Sequence, residues 1–204
     1  NSIMATDVFD PDLVKIRNER WQKAFPREEE KEYGKEGKED TTDLKATIVI
    51  EHIIQAADVA HTMQHWHVYQ KWNRRLFEEM YYAFESGRCD SNPAKSWYKG
   101  ELWFYDNYII PLARKLKECG VFGVASDEFL TYAIDNRFEW QIKGEAIVEE
   151  FKAMVKNGED ESLEDADDDL DNADDDQETS QLHHKEDTTI DTLDVPSCLP
   201  TRGA

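Results

Sequence analysis

The run Ala57-Asp58-Val59-Ala60-His61-Thr62-Met63-Gln64-His65-Trp66-His67 places one carboxylate and three imidazoles in a short stretch of chain. Asp58 follows Ala46, Val49, Ile50, Ile53, Ile54 and Ala57, whose spacing is that of one face of a buried helix. It is in phase with Ile50 and Ile54, so it is expected to point toward a core. A carboxylate there stays ionised only beside a cation, a metal or several hydrogen-bond donors. Metal ligation is one reading, and an N-cap for the next helix is the other. His61 and His65 would join Asp58 on one face only if the helix ran on unbroken. A metal buffer built on His61, His65 and His67 is a third possibility.

Glu101 is the second polar residue set on an apolar stripe. Trp97, Glu101, Phe104, Tyr108 and Leu112 recur at spacings of four and three, which puts an acid on an aromatic helix face next to Phe104. Such a pair suits a planar ligand, with a ring to stack on and a hydrogen-bonding edge beside it. The plainer reading is a first-turn Glu that favours the helix dipole and points partly to water.

The elements that must hold these groups all read as helices. Residues 10–25 form a first helix, with Asp10 as cap, Pro11 in the first turn and Leu13, Ile16, Arg20 and Trp21 in helical rhythm, ended by Pro26. Residues 27–43 are dominated by Glu and Lys and read as an exposed loop. The β-branched run Thr47-Ile48-Val49-Ile50 suits a strand, but the apolar rhythm continues to Ala57 and favours helix. A further helix starts near Trp66, carries Tyr69, Trp72, Leu76 and Met80 on one stripe, and is stopped by Gly87. Another runs from Ser96 to Gly120 with a kink at Pro111. The last starts near Ser126, carries Phe129, Ala133, Trp140, Val148, Phe151 and Val155, bends at Gly144 and ends at Asn157-Gly158. No segment alternates at period two, so the fold class is all-α, a compact helical bundle.

Charge divides the chain. Its 204 residues include 45 acids and 24 bases, for a net charge of -21. Residues 157–204 hold 17 acids against Lys185 and Arg202, leaving residues 1–156 with 28 acids and 22 bases. The tail is expected to be disordered, self-repelling and open at most to a basic partner, and it lacks the mid-loop glycine and closing Glu of a calcium loop. The helical body of residues 1–156 is one domain. This balance excludes a nucleic-acid phosphate binder and adhesion to anionic membranes. Cys89, Cys119 and Cys198 follow no zinc or disulfide pattern, and neither an apolar run of membrane length nor a signal peptide is visible, so a cytoplasmic setting is expected. The first residue, Asn1 rather than Met, leads to the expectation that the chain is a piece of something longer.

Several of these segments together resemble the class I 3′,5′-cyclic nucleotide phosphodiesterases, in the C-terminal half of their catalytic domain. Met4-Ala5-Thr6-Asp7-Val8 looks like the family's ATD segment, and Ala57-Asp58-Val59 is similar to its ADL/ADI/ADV signature. Glu101-Leu102-Trp103-Phe104-Tyr105-Asp106, followed by Ile109-Ile110-Pro111-Leu112, looks like the Q-x-G-F-I-D…PL block. The resemblance spans residues 3–155, and the wording of 58–72 and 97–123 is most similar to members from diatoms and related algae. It implies an all-α domain that hydrolyses cAMP or cGMP to 5′-monophosphates at two divalent metals, zinc with magnesium or manganese. By position it makes Asp58 a metal ligand, Phe104 the ring stacked on the purine and Leu76 the opposite jaw of that clamp. His61 stands beside the family's base-contacting position.

Two departures accompany it. Glu101 occupies the place of the family's purine-reading glutamine, and a carboxylate only accepts hydrogen bonds where an amide both donates and accepts. Trp103 replaces a glycine. The resemblance also places the remaining metal ligands and a general-acid histidine upstream of the ATD segment, so this chain would supply one ligand and the purine pocket. A non-catalytic helical binding or regulatory module with an acidic interaction tail is the competing expectation.

Overall fold

The computed structural model describes residues 10–26 and 42–157. The segment at residues 4–8, most of the charged loop and the acidic tail lie outside those residues. Helices and their connections make up all that is described, with no strand among the described residues. No described helix is long and apolar enough to cross a membrane.

Helix α1 (Pro11–Ala24) starts as its sequence predicts, with the Asp10 carboxylate accepting from the backbone N–H of Asp12 at 2.9 Å and of Leu13 at 3.2 Å. Helix α2 (Thr42–Asp58) takes in Thr42 and Asp43, which the sequence assigned to the charged loop. A 3₁₀ turn (Ala60–Met63) leads to α3 (Trp66–Glu85), which Gly87 terminates at φ +72°. A second 3₁₀ turn (Pro93–Lys95) precedes α4 (Trp97–Phe104), a π-helical turn (Tyr105–Ile109) and α5 (Ile110–Cys119). Helix α6 (Ala125–Asn157) closes the described chain.

The kink expected at Pro111 takes the form of that π turn. Proline has no N–H to return to the carbonyl four residues back, and its ring crowds that carbonyl. Widening the turn just ahead of it absorbs the conflict and brings Tyr105 and Ile109 both to full burial.

Helix α6 is the element on which α3, α4, the π turn and α5 all pack. Its Ala133, Trp140, Val148 and Phe151 meet Tyr69 and Phe77 of α3, Tyr105 and Ile109 of the π turn and Leu112, Ala113 and Leu116 of α5 in the main core. Helix α1 rests on α2 through a smaller cluster of Trp21, Ala24 and Ile48.

Two helices are rotated from the faces that hydropathy predicts. Helix α3 buries Tyr69, Asn73 and Phe77, leaving Trp72 at 47% and Leu76 at 43% exposure. Burial of Asn73 costs little because its Oδ1 accepts from Trp97 Nε1 at 3.1 Å. Helix α2 buries Ile48, Glu51, His52 and Gln55 and leaves Ile50 56% exposed. Here too the buried polar groups have partners. Arg20 Nη1 donates to Glu51 Oε1 at 2.8 Å and to Oε2 at 2.9 Å, and His52 Nδ1 donates to the Ile48 carbonyl at 2.8 Å with Trp21 packed 4.7 Å from its ring.

Gly144 is not a bend, since α6 continues through it. A Cβ at this position would lie 2.9 Å from Trp140 and from Tyr98, so its bareness lets α4 close against α6. Gly144→Ala is expected to destabilise the protein by up to about 2 kcal/mol in thermal denaturation, the overpacking cost of ~1–3 kcal/mol less the ~1 kcal/mol gain in helix propensity. The His52 imidazole provides a second test. Burial lowers it from 6.5 to about 4, so the neutral ring favours the folded state. Its contribution is complete above pH 6.5 and is lost as pH falls through about 4. The stability profile between those values should flatten in His52→Leu.

Candidate functional site

A cavity of about 1260 Å³ opens between the end of α2, the first 3₁₀ turn, α3, α4 and the π turn, with α6 contributing to its wall. Asp58, His61, Leu76, Glu101 and Phe104 all line it, together with Trp72, Trp103 and Tyr108. Residues 43 positions apart in sequence thus meet across one space, which the rotation of α3 makes possible by turning Trp72 and Leu76 away from the core.

Asp58 is the last residue of α2 and is exposed. It is not the cap that the plainer sequence reading allowed, because the 3₁₀ turn and α3 both begin without a side-chain cap. Nor does it make a hydrogen bond or ion pair with any described residue. Its charge is felt by Tyr108, whose hydroxyl is pushed up to about 12 by burial, with Asp58 adding to the rise and Arg17 opposing it.

The turn that follows Asp58 is fixed from beneath. Asn136, fully buried on α6, donates through Nδ2 to the carbonyls of Thr62 at 3.1 Å and Gln64 at 2.8 Å. Tyr105 donates to the Thr62 carbonyl at 3.4 Å, and Thr62 Oγ1 donates to Val59 at 2.7 Å. Neither Asn136 nor Tyr105 was singled out from sequence as a site residue. The available signal was Asn136 standing on the same face as Ala133 and Trp140.

The histidines separate. His61 lies on the cavity wall, its pKa lowered by burial. His65 is exposed, with Nε2 3.1 Å from the Tyr132 hydroxyl and its ring 5.7 Å from that of His67. Because α2 ends at Asp58, the shared face of Asp58, His61 and His65 does not form. Among the described residues no three His, Cys, Asp or Glu side chains are placed to hold a metal ion, which also removes the buffer of His61, His65 and His67. A divalent ion at Asp58 would have no two further His, Cys, Asp or Glu side chains of the described residues grouped beside it.

Glu101 is held more firmly than a first-turn surface residue. Tyr69, fully buried on α3, donates to Glu101 Oε2 at 2.7 Å. Burial raises the carboxyl from 4.5 to about 7, and the Tyr69 hydrogen bond acts in the opposite direction. Phe104 stacks on Tyr108 with ring centroids 5.3 Å apart and planes inclined by 17°. The Asp106 carboxylate clamps the π turn to α6 by accepting from Arg137 Nε at 2.9 Å and Nη2 at 3.0 Å. The wall is thus a flat aromatic pair beside a carboxyl of near-neutral pKa.

Asn136→Ala should leave the Thr62 and Gln64 carbonyls short of a donor. We expect a loss of about 1–3 kcal/mol by chemical denaturation, with amide exchange in residues 60–64 accelerated more than in α6. Equal acceleration throughout would show that Asn136 does not fix the turn.

The sequence profile described as 3′5′-cyclic nucleotide phosphodiesterase matches residues 1–121. Neither a curated protein nor a solved structure matches the chain. The matched span is more than half of the 204 residues and contains Asp58, His61, Leu76, Glu101 and Phe104. With its all-α fold and these residues around one cavity, the chain belongs to the 3′5′-cyclic nucleotide phosphodiesterase family.

Proposed function

We propose that the chain acts in the hydrolysis of 3′,5′-cyclic nucleotides, cAMP or cGMP, to 5′-monophosphates, and that the cavity takes the nucleotide. The observation that carries this reading is the convergence of Asp58, Leu76, Glu101 and Phe104 on one cavity within the matched span. The purine lies against Phe104, whose ring is braced from behind by Tyr108, and Leu76 closes on its other face. Glu101 meets the edge of the base, and His61 shapes the adjoining wall. Water is excluded along the apolar side by Trp72 and Trp103.

Asp58 offers the carboxylate for a divalent ion, zinc or magnesium or manganese, which would supply an activated water and neutralise the phosphate. A single ligand does not hold two ions, and no step is assigned to Asp58 beyond that offer. The same observation favours a second reading, a non-catalytic helical binding module.

The purified protein, supplied with magnesium and zinc, is expected to release 5′-monophosphate from cAMP or cGMP. Phe104→Ala should raise KM roughly fivefold to 150-fold, the equivalent of losing about 1–3 kcal/mol of stacking, and Asp58→Ala should lower bound zinc. Product release would overturn the non-catalytic module, and the absence of both binding and product would overturn the hydrolytic reading.

A further inference from the structure

Phe104 closes α4 and Tyr108 lies within the π turn, so the stacked pair they form on the cavity wall depends on the shape of one short segment, Tyr105–Ile109. A π turn is a rare departure from α-helix, and contacts from outside have to hold it. Two of its anchors lie in the core, where Tyr105 and Ile109 are fully buried. Asn107 is tied locally, with Nδ2 donating to the Trp103 carbonyl at 2.9 Å. Asp106, in the middle of the turn, is anchored across to α6.

That anchor is a side-on fork. Arg137 Nε donates to Asp106 Oδ1 at 2.9 Å and Nη2 to Oδ2 at 3.0 Å, while Nη1 donates to Gln141 Oε1 one turn further along α6. With three nitrogens engaged, the guanidinium has one orientation, which a lysine ammonium cannot reproduce. Neither Asp106 nor Arg137 lines the cavity, and their side chains are 46% and 27% exposed. An ion pair this open to water contributes little to global stability. Its effect is local, on the shape of the turn that separates the two rings.

Resting on the nucleotide reading above, we propose that Arg137 is a positioning residue for the nucleotide: acting through Asp106, it holds the π turn in the form that keeps Tyr108 braced behind Phe104 and the Phe104 face toward the purine. The two rings are inclined by 17° with centroids 5.3 Å apart. If the turn relaxes toward α geometry, the angle about the helix axis between residues 104 and 108 changes, and the alignment of the rings changes with it. Tyr105 and Ile109 stay in the core when the fork is lost. The disturbance is thereby confined to the middle of the turn and the wall it carries.

The test compares Kd values for cAMP and cGMP, with magnesium and zinc present, among the purified protein, Arg137→Lys, Asp106→Asn and the doubly substituted protein. Each single substitution is expected to weaken both nucleotides roughly threefold to tenfold, as loss of an aligned aromatic pair would, with the ratio between them unchanged because the ring surface serves both purines. The doubly substituted protein should lose no more affinity than either single one, since the same interaction is removed each time. Tm should fall by no more than about 4 °C, the effect of an exposed ion pair, and amide exchange should accelerate in residues 105–109 but not along α6. Unchanged affinities, additive losses, or exchange accelerated throughout the domain overturn the inference and leave the nucleotide reading standing. Binding of neither nucleotide by the unsubstituted protein overturns both.

Discussion

Tyr69 is the residue around which this protein is arranged. Its ring is sealed between Tyr105 of the π turn and Trp140 of α6, while its hydroxyl reaches out of the core to Glu101 on α4. A buried phenol needs a partner for its O–H, and a half-buried carboxyl needs a donor. One hydrogen bond meets both needs and ties α3 to α4. With Tyr69 pointing inward, α3 has to present Asn73 and Phe77 to the core as well. Trp72 and Leu76 are thereby turned to the cavity.

The second constraint is how α6 handles polar groups. Along one face of this long helix the apolar side chains Ala133 and Trp140 are interrupted by Asn136, whose amide spans the carbonyls of Thr62 and Gln64. The turn after Asp58 carries no cap of its own, so this contact and that from Tyr105 set where the end of α2 and His61 lie. Gly144 adds a steric condition one turn beyond Trp140, since α4 sits close enough that no Cβ fits. The positions of Glu101 and Asp58 thus depend on the same helix.

Much of this was legible in the sequence. The helix spans, the cap at Asp10, the stops at Gly87 and Gly120 and the break near Pro111 follow from local chemistry, which the fold leaves intact. The faces of α2 and α3 were not, because hydropathy treats Glu51, His52 and Asn73 as outward residues. Each is buried against a partner far away in sequence: Arg20, Trp21 and Trp97. Periodicity cannot see such partners. The same limit applies to the site. Glu101 and Phe104 were recognisable as an acid and a ring on one stripe, whereas the Tyr69 hydroxyl that sets the acid's behaviour reads only as core. The family profile spans residues 1–121, and the cavity gathers Asp58, Leu76, Glu101 and Phe104 from within that span. Among the described residues, no three His, Cys, Asp or Glu side chains are placed to hold a metal ion at Asp58.

The cavity between α2, α3 and α4 is proposed to receive a purine nucleotide. This is tested most directly by irradiating the purified protein with an azidopurine cyclic nucleotide and mapping the labelled peptides. Label is expected on the segments bearing Leu76 and residues 101–108, and excess unmodified cyclic nucleotide should suppress it. Label that excess nucleotide does not suppress, or that falls on α1 or the outer face of α6, would contradict the proposal.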